Sequence, residues 1–330
     1  MVFIGSLLIF YSKLPADNNA TEEGGLDVSS GFVDQNLYGS LVFSAQLNEA
    51  SSSERQFYRY DFAEERVSVY LQENVQNENI TKKVQWIGEG SDASSSYDRI
   101  IVVDKETGSS EFLSTDDVIN EADLVVSPDG THVAYSYQTA GVTDSSSIAN
   151  WNVAVRNILT GETRTVPGAI RPTFYRDSAA ILFMTPAGIT EYDMNTKSEP
   201  ALVFDFGPLT PNDEYAVSPD SQHLILTSPD YTLLTTAVVS SASTTTFVEV
   251  ANAVTPATSY YNPVISADNK YYALVSTDEA GVATIEIRTL DTSQVVKKIS
   301  SELVGLRIDS LQEWTVPGYT RENIRTDEIQ

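Results

Sequence analysis

Apolar residues recur along this chain in short runs broken by turn formers, and the clearest instance is Leu124 to Ser136, LVVSPDGTHVAYS. Two apolar segments, Leu124-Val125-Val126 and Val133-Ala134-Tyr135, flank a Ser-Pro-Asp-Gly corner. Segments this short, rich in β-branched and aromatic residues, favour buried strands over helices. Pro128 presets the φ a turn requires and supplies no donor, Asp129 can bond its own backbone, and Gly130 accepts positive φ without a Cβ clash. A two-residue Asp-Gly corner between apolar runs predicts a hairpin.

The figure repeats. Aligned on Asp129, the corner returns at Asp177 in FYRDSAAILF, Asp220 in VSPDSQHLIL and Asp268 in ISADNKYYALV, at intervals of 48, 43 and 48 residues. A second mark lies in the other half of each repeat, where a strand runs into an Asp-x-x-Thr-Gly-like corner and then another strand. It occurs as VVDKETGSSEFL (Val102 to Leu113), RNILTGETRTV (Arg156 to Val166), YDMNTKSEPALV (Tyr192 to Val203) and RTLDTSQVV (Arg288 to Val296), with FYRYDFAEERVSVYL (Phe57 to Leu71) in the same place earlier. Two hairpins per roughly 45 residues make a four-stranded antiparallel unit, the size of a propeller blade.

Gly39 to Gln46 with Phe57 to Leu71 supplies three strands without a first one, and Ile308 to Val316 near the C-terminus supplies a first strand without a successor. The two fragments complement each other, so the expected fold is all-β: a six-bladed β-propeller of four-stranded antiparallel blades, its ring closed by a C-terminal strand that completes the N-terminal blade and removes exposed edges. The other five units begin near Val84, Asp123, Arg171, Glu214 and Asn262. The second blade is the weakest, since GEGSDASSSYD between Ile87 and Arg99 offers no clear second strand. The expected divisions are an apolar arm or truncated membrane anchor at 1–11, a polar linker at 12–31, one propeller domain at 32–317 and a polar tail at 318–330.

These repeats resemble the WD40-like, TolB-type propeller family. The signature is intact as Ser127-Pro128-Asp129-Gly130, nearly intact as Ser218-Pro219-Asp220-Ser221 and decayed as Ser266-Ala267-Asp268-Asn269, and the corner at Asp104 to Gly108 fits the same family. The likeness runs from about Gly39 to Val316. It implies a propeller and, for function, binding more than chemistry, because such a fold serves envelope partners, sensor ectodomains and non-catalytic domains attached to peptidases. The expectation is a propeller without a companion domain, with fourteen residues after Val316.

Composition narrows the partners. A formal net charge of -26, from 46 acidic and 20 basic residues, repels phosphate backbones and anionic headgroups, which argues against nucleic-acid binding and favours a solvated, soluble surface. Adaptation to a saline environment fits the same charge. With no cysteine there is no disulfide, thiolate metal site or Cys nucleophile.

Val2 to Tyr11, VFIGSLLIFY, is apolar apart from Gly5 and Ser6, shorter than the about 20 residues of a spanning helix and without a basic n-region before it. The expectation is the trailing half of a membrane anchor that begins upstream, followed by the flexible tether Ser12 to Gly31; the alternative is an apolar arm that packs on the domain or a partner. The anchor reading places the domain outside the cytoplasm, tethered at the envelope or surface, with the membrane engaged only through this segment. Asn19-Ala20-Thr21 and Asn79-Ile80-Thr81 match the glycosylation sequon.

No Gly-x-Ser-x-Gly elbow, His-Glu-x-x-His helix, phosphate loop, dinucleotide glycine pattern or twelve-residue calcium loop is present. His132 and His223 each follow a corner Asp by three residues, which suits a shared structural slot at the head of a second strand. The aspartates Asp129, Asp177, Asp220 and Asp268 read as turn formers, Asp104 and Asp193 as hairpin residues, and the acidic stretch Glu106 to Glu111 as part of a repeat. Tyr260-Tyr261, Tyr271-Tyr272 and Trp314 read as packing between blades, with a carbohydrate or peptide platform as the alternative. The insertion Gln138 to Asn150 reads as a mobile loop. Hence no catalytic, cofactor-binding or metal-ligating residue is assigned and no cofactor is expected. The functional expectation is a non-catalytic module for a protein or glycan partner; the rivals are a glycosidase- or lyase-type propeller using carboxylates in a central channel, and a structural subunit of a surface assembly.

Overall fold

The computed structural model describes residues 37–47, 56–70, 82–88, 98–104, 106–114, 118–142, 144–176, 178–228, 233–239, 247–254 and 259–315. The chain falls into two units, Met1–Val33 and Asp34–Gln330, and every described residue belongs to the second. The arm at 1–11, the linker at 12–31, the tail at 318–330, both sequons and Asp177 therefore lie outside the described residues.

The described part is almost wholly strand, arranged in six antiparallel sheets. Sheet I holds β1 (Ser40–Leu47), β2 (Gln56–Asp61) and β3 (Arg66–Val69). Sheet II holds β4 (Lys82–Gly88), β5 (Asp98–Asp104) and β6 (Ser110–Phe112). Sheet III follows with β7 (Val118–Val126), β8 (His132–Thr139), β9 (Asn152–Asn157) and β10 (Thr163–Pro167). Sheet IV has β11 (Ile170–Tyr175), β12 (Ala180–Thr185), β13 (Gly188–Asp193) and β14 (Ala201–Asp205). Sheet V has β15 (Glu214–Val217), β16 (His223–Ser228), β17 (Leu233–Val239) and β18 (Phe247–Val254). Sheet VI has β19 (Ser259–Ile265), β20 (Tyr271–Thr277), β21 (Ala283–Thr289) and β22 (Val295–Ser300).

A single helical turn, α1 (Ser301–Val304), leads into β23 (Leu306–Thr315), which returns to sheet I and pairs antiparallel with β1 from Ser40↔Thr315 to Leu47↔Leu306. Sheet I is thus ordered β23-β1-β2-β3, and it gains from the C-terminal segment the strand its N-terminal sequence lacks. Sheet II departs from the four-stranded expectation: among the described residues it has three strands, ordered β4-β5-β6.

The second strands of the complete sheets read as continuous apolar runs because both of their faces are covered. Ala180 to Met184 in β12 are all buried, and so are Leu224 to Ser228 in β16 and Tyr271 to Ser276 in β20. Hydrophobic clusters join each sheet to the next. Leu41 and Phe43 of sheet I pack with Tyr271 and Ile285 of sheet VI, and Ile225 of sheet V packs with Tyr272 and Leu274 of sheet VI. Leu182 and Met184 of sheet IV meet Leu224 and Leu226 of sheet V. Val153 of sheet III meets Phe183 of sheet IV, and Ile100 of sheet II meets Tyr135 of sheet III. Burying a side chain of this kind contributes about 1.5 to 3 kcal/mol, so the core is spread along these seams between sheets.

The corner between β7 and β8 is wider than a two-residue hairpin. Gly130 N–H donates to Ser127 O (2.8 Å), which makes Pro128 and Asp129 the central turn residues, and Gly130 follows them at φ 65°. Ser221 and Asn269 hold Gly130's place at φ 61° and 57°, a conformation that Asn tolerates better than most residues. The insertion after β8 is packed rather than loose. Asp144 Oδ1 accepts Ser146 N–H (2.9 Å) and Oγ–H (2.6 Å), Trp151 Nε1–H donates to Ser145 O (3.1 Å), and Ile148 is buried against sheet IV. Its Ser and Asn residues close local turns, and one isoleucine anchors them in the core.

Candidate functional site

The first strands of neighbouring sheets lie side by side, β7 beside β11, β15 beside β19 and β19 beside β23. A polar ladder runs across them. Its members Asp123, Arg171, Glu214 and Asn262 are the residues at which the sequence reading starts its last four units. Asp123, Arg171 and Asn262 have left-handed backbones, with φ of 53°, 56° and 50°. The register of β7, β11 and β19 shifts around them, as expected where one residue is extruded from a ladder. At Arg171 and Asn262 the bulge turns the backbone N–H out of its own sheet.

The neighbouring sheet accepts that donor. Ser136 Oγ donates to Asp123 Oδ2 (2.7 Å), and Arg171 N–H donates to Ser136 Oγ (2.9 Å) and Asp123 Oδ2 (3.2 Å). The Arg171 guanidinium lies 3.8 Å from Asp123 Oδ1 and 3.2 Å from Glu214 Oε1, and donates to Pro211 O (3.2 Å). Tyr215 O–H donates to Arg171 O (2.9 Å). Glu214 accepts the Asn262 backbone N–H and, on both oxygens, the Asn262 side-chain amide (3.1 and 3.0 Å). At the start of the ladder Glu121 accepts Ile100 N–H (2.5 Å) and the Ser114 hydroxyl, joining sheets II and III. Toward sheet I, burial pushes the Tyr261 phenol up; its hydrogen bond to Thr277 opposes this, and the Asp309 and Glu214 carboxylates add to it.

A second polar set sits at the opposite ends of these strands. Ser127 Oγ donates to Asp129 Oδ1 (2.5 Å) and accepts His132 N–H (2.9 Å). Asp129 Oδ1 also accepts Thr131 N–H (3.0 Å) and O–H (2.9 Å). Ser218 and Asp220 repeat this with Gln222 and His223 N–H, and Ser266 and Asp268 with Lys270 and Tyr271 N–H. Burial works against the charge on Asp129, but the bonds from Ser127 and Thr131 hold its carboxyl below the usual range; at Asp220 burial is likewise outweighed by His223, Ser218 and Gln222. The corners also join sheets: Asp129 N–H donates to Ser178 Oγ (3.2 Å) and Asp220 N–H to Asn269 Oδ1 (3.3 Å).

His132 and His223 begin β8 and β16. His132 Nδ1 bonds with Thr131 Oγ1 (2.7 Å) and its Nε2 with the Asn157 amide (3.3 Å); burial lowers its pKa, partly offset by Asp129 and Glu162. His223 Nδ1 lies 3.8 Å from Asp220 Oδ1. Asp104 Oδ1 accepts Glu106 and Thr107 N–H, and Asp193 Oδ1 accepts Asn195 and Thr196 N–H, both closing the hairpins in which they lie. Glu111, from the acidic stretch, pairs with Arg156 at 3.1 Å. The aromatic set does not form an open platform: Tyr260, Tyr271 and Tyr272 are buried, and Trp314 stacks on Tyr271 (6.4 Å, 17°) beside Phe62.

Among the described residues no group of three or more His, Asp or Glu is placed to hold a metal ion, and no helix is long and apolar enough to cross a membrane. The ladder escaped sequence reading because its four side chains differ in charge and type. Its trace in the sequence is positional only, a polar residue near the start of each unit.

No family model and no curated protein matches the chain. Solved structures do resemble it. TolB from Acinetobacter baumannii aligns at 14% identity and TM-score 0.49 over 84% of this chain, which spans 65% of that TolB's length. The periplasmic gluconolactonase of Pseudomonas aeruginosa aligns at 14% identity and TM-score 0.48 over 80% of this chain and 83% of its own. The β-propeller domain of Cps50 from Myceliophteria thermophila aligns at 12% identity and TM-score 0.37 over 61% of this chain and 79% of its own. The chain is thus similar in structure to these three proteins at 12 to 14% identity.

Proposed function

We propose that the chain is a six-bladed propeller that binds a protein or glycan partner at the cell envelope or surface and has no catalysis of its own. The observation that carries this is the occupation of the ladder carboxylates. Glu214 is bound by Arg171 and Asn262, Asp123 by Ser136 and Arg171, and Glu121 by Ile100 and Ser114. An acid pair working on a glycosidic or ester bond needs one carboxyl free to give a proton and another free to attack or activate water. Here the acids hold neighbouring sheets together, which leaves loops and sheet ends as the surfaces for a partner.

The ring reading is supported by the seams that join sheet I to VI and so on down to II, and by the pairing of β23 with β1. Closure requires sheet I to meet sheet II as well. Ending the chain before Leu306 should abolish cooperative unfolding; an unchanged melting transition refutes closure. The envelope location follows from reading Val2 to Tyr11 as anchor and Ser12 to Gly31 as tether.

The functional test is in-cell cross-linking of the full natural reading frame, with fractionation and mass spectrometry of what copurifies, beside assays of the purified chain on sugar lactones and glycosides. The expected result is an envelope-fraction chain with a reproducible partner and no turnover. Turnover that Glu214→Gln abolishes while the fold persists would establish the enzyme reading instead.

A further inference from the structure

His132, at the head of β8, stands between the two hairpins of sheet III. It lies directly opposite Asn157, the residue that closes the turn between β9 and β10. Asn157 Oδ1 accepts Leu159 N–H and Thr160 N–H (both 2.9 Å), which fixes the orientation of the amide and leaves Nδ2 as its other end. Nδ2 lies 3.3 Å from His132 Nε2, and an amide nitrogen only donates, so Nε2 accepts. A neutral imidazole that accepts at Nε2 carries its proton on Nδ1, here 2.7 Å from Thr131 Oγ1. The Thr131 hydroxyl in turn donates its hydrogen to Asp129 Oδ1 (2.9 Å). The hydrogen bonds therefore run one way, from Asn157 through His132 and Thr131 to the Asp129 carboxylate.

We infer that His132 is a proton-sensitive joint between the Asp129 corner and the Asn157 hairpin: in its neutral form it links them, and a proton on Nε2 sets two donors against each other and parts them. The corner is also bound to sheet IV, since Asp129 N–H donates to Ser178 Oγ (3.2 Å), so the joint bears on the seam between sheets III and IV. Burial disfavours the charged ring. Asp129 from its own corner and Glu162 from the β9–β10 hairpin favour it, Lys197 from the β13–β14 hairpin opposes it, and the net effect is a pKa below the ordinary histidine range. Folded His132 thus binds its proton less readily than the unfolded chain does, so the stabilisation is complete above about pH 6.5 and lost as pH falls through the lower folded value. His223 holds the same place in sheet V but faces Val238, which has no side-chain amide. Sheets II and IV have Asp104 and Asp193 where sheet III has Asn157, and these close the same turn with the same two backbone bonds.

The test is proton–nitrogen NMR of the imidazole rings in the isotope-labelled full chain, whose 2 histidines give two ring patterns that His223→Gln assigns. Near neutral pH His132 should show a protonated Nδ1 and a bare Nε2, and its titration midpoint should lie below about 6.5. The backbone amides of Ser127, Asp129, Leu159 and Thr160 should shift with that midpoint, while those of Glu106 and Thr107 in the equivalent hairpin of sheet II should not. Asn157→Asp keeps the turn as sheets II and IV build it and puts a carboxylate where the donor was, so it should raise the midpoint by about 1 to 2 pH units. An Nε2–H ring at His132, or corner and hairpin amides that ignore its midpoint, overturns the assignment, and both are read on the natural sequence whether or not the variant folds. A midpoint that Asn157→Asp leaves in place or lowers, with the hairpin still formed, overturns it as well.

Discussion

Replacing Glu214 separates a structural ladder from a catalytic one. Glu214 is mostly buried, binds Arg171 at 3.2 Å and receives both the backbone and side-chain N–H groups of Asn262. Glu214→Ala removes these acceptors together and strands a left-handed backbone donor whose own strand offers no alternative partner at the bulge. A hydrogen bond to a charged group contributes about 1.5 to 3 kcal/mol, and breaking a buried pair costs about 3 to 5 kcal/mol. Because Arg171 is partly exposed and keeps Asp123 and Pro211, the low end applies, about 3 kcal/mol, or about 5 °C in midpoint for a domain of this size. Glu214→Gln keeps an acceptor for Asn262 and loses only the charge, for about 1 kcal/mol. Urea unfolding followed by tryptophan fluorescence reads both variants. If Glu214→Ala unfolds within about 0.5 kcal/mol of the natural sequence, the ladder does not hold sheets IV, V and VI together and the carboxylates require another explanation.

Two further outcomes follow from the same geometry. Gly188 opens β13 at φ 145°, and a Cβ there would meet Phe204 O at 2.0 Å, so Gly188→Ala should cost about 3 kcal/mol; Gly281→Ala, at φ 77° with open space around it, should cost about 1 kcal/mol, and equal midpoints by calorimetry would contradict this. Asp129 and Asp220 have folded-state pKa values below the ordinary aspartate range, so their stabilisation is complete above that range and lost as pH falls through the lower folded values. Asp129→Asn with Asp220→Asn should therefore flatten the acid limb of a stability-against-pH curve; an unaltered limb refutes the assignment.

The sequence by itself determined whatever depends on near neighbours. Corner residues declare themselves because Ser, Pro, Asp and Gly act on backbone within a few positions, and so Asp104, Asp129, Asp193, Asp220 and Asp268 appear as the turn formers they were read to be. Apolar runs such as Tyr271 to Val275 announce strands covered on both sides, and the unmatched strand near Ile308 announces its pairing with Leu41 and Phe43. The width of the Asp129 corner was not legible, since the same Asp-Gly pair serves turns that differ only in which residues occupy the centre.

Only the tertiary structure decided what is made by residues far apart in the chain. The ladder takes one residue from each of several sheets, and Asp123, Arg171, Glu214 and Asn262 share no side-chain chemistry that a pattern could detect. The insertion after β8 looked loose by composition, yet Ile148 fixes it in a core formed with sheets IV and V. The complete burial of Asp213, Ser228 and Thr235 likewise follows from the packing of sheet V. Turn chemistry is local and therefore written in order along the chain; charge compensation and burial are set by whichever surfaces the fold brings together.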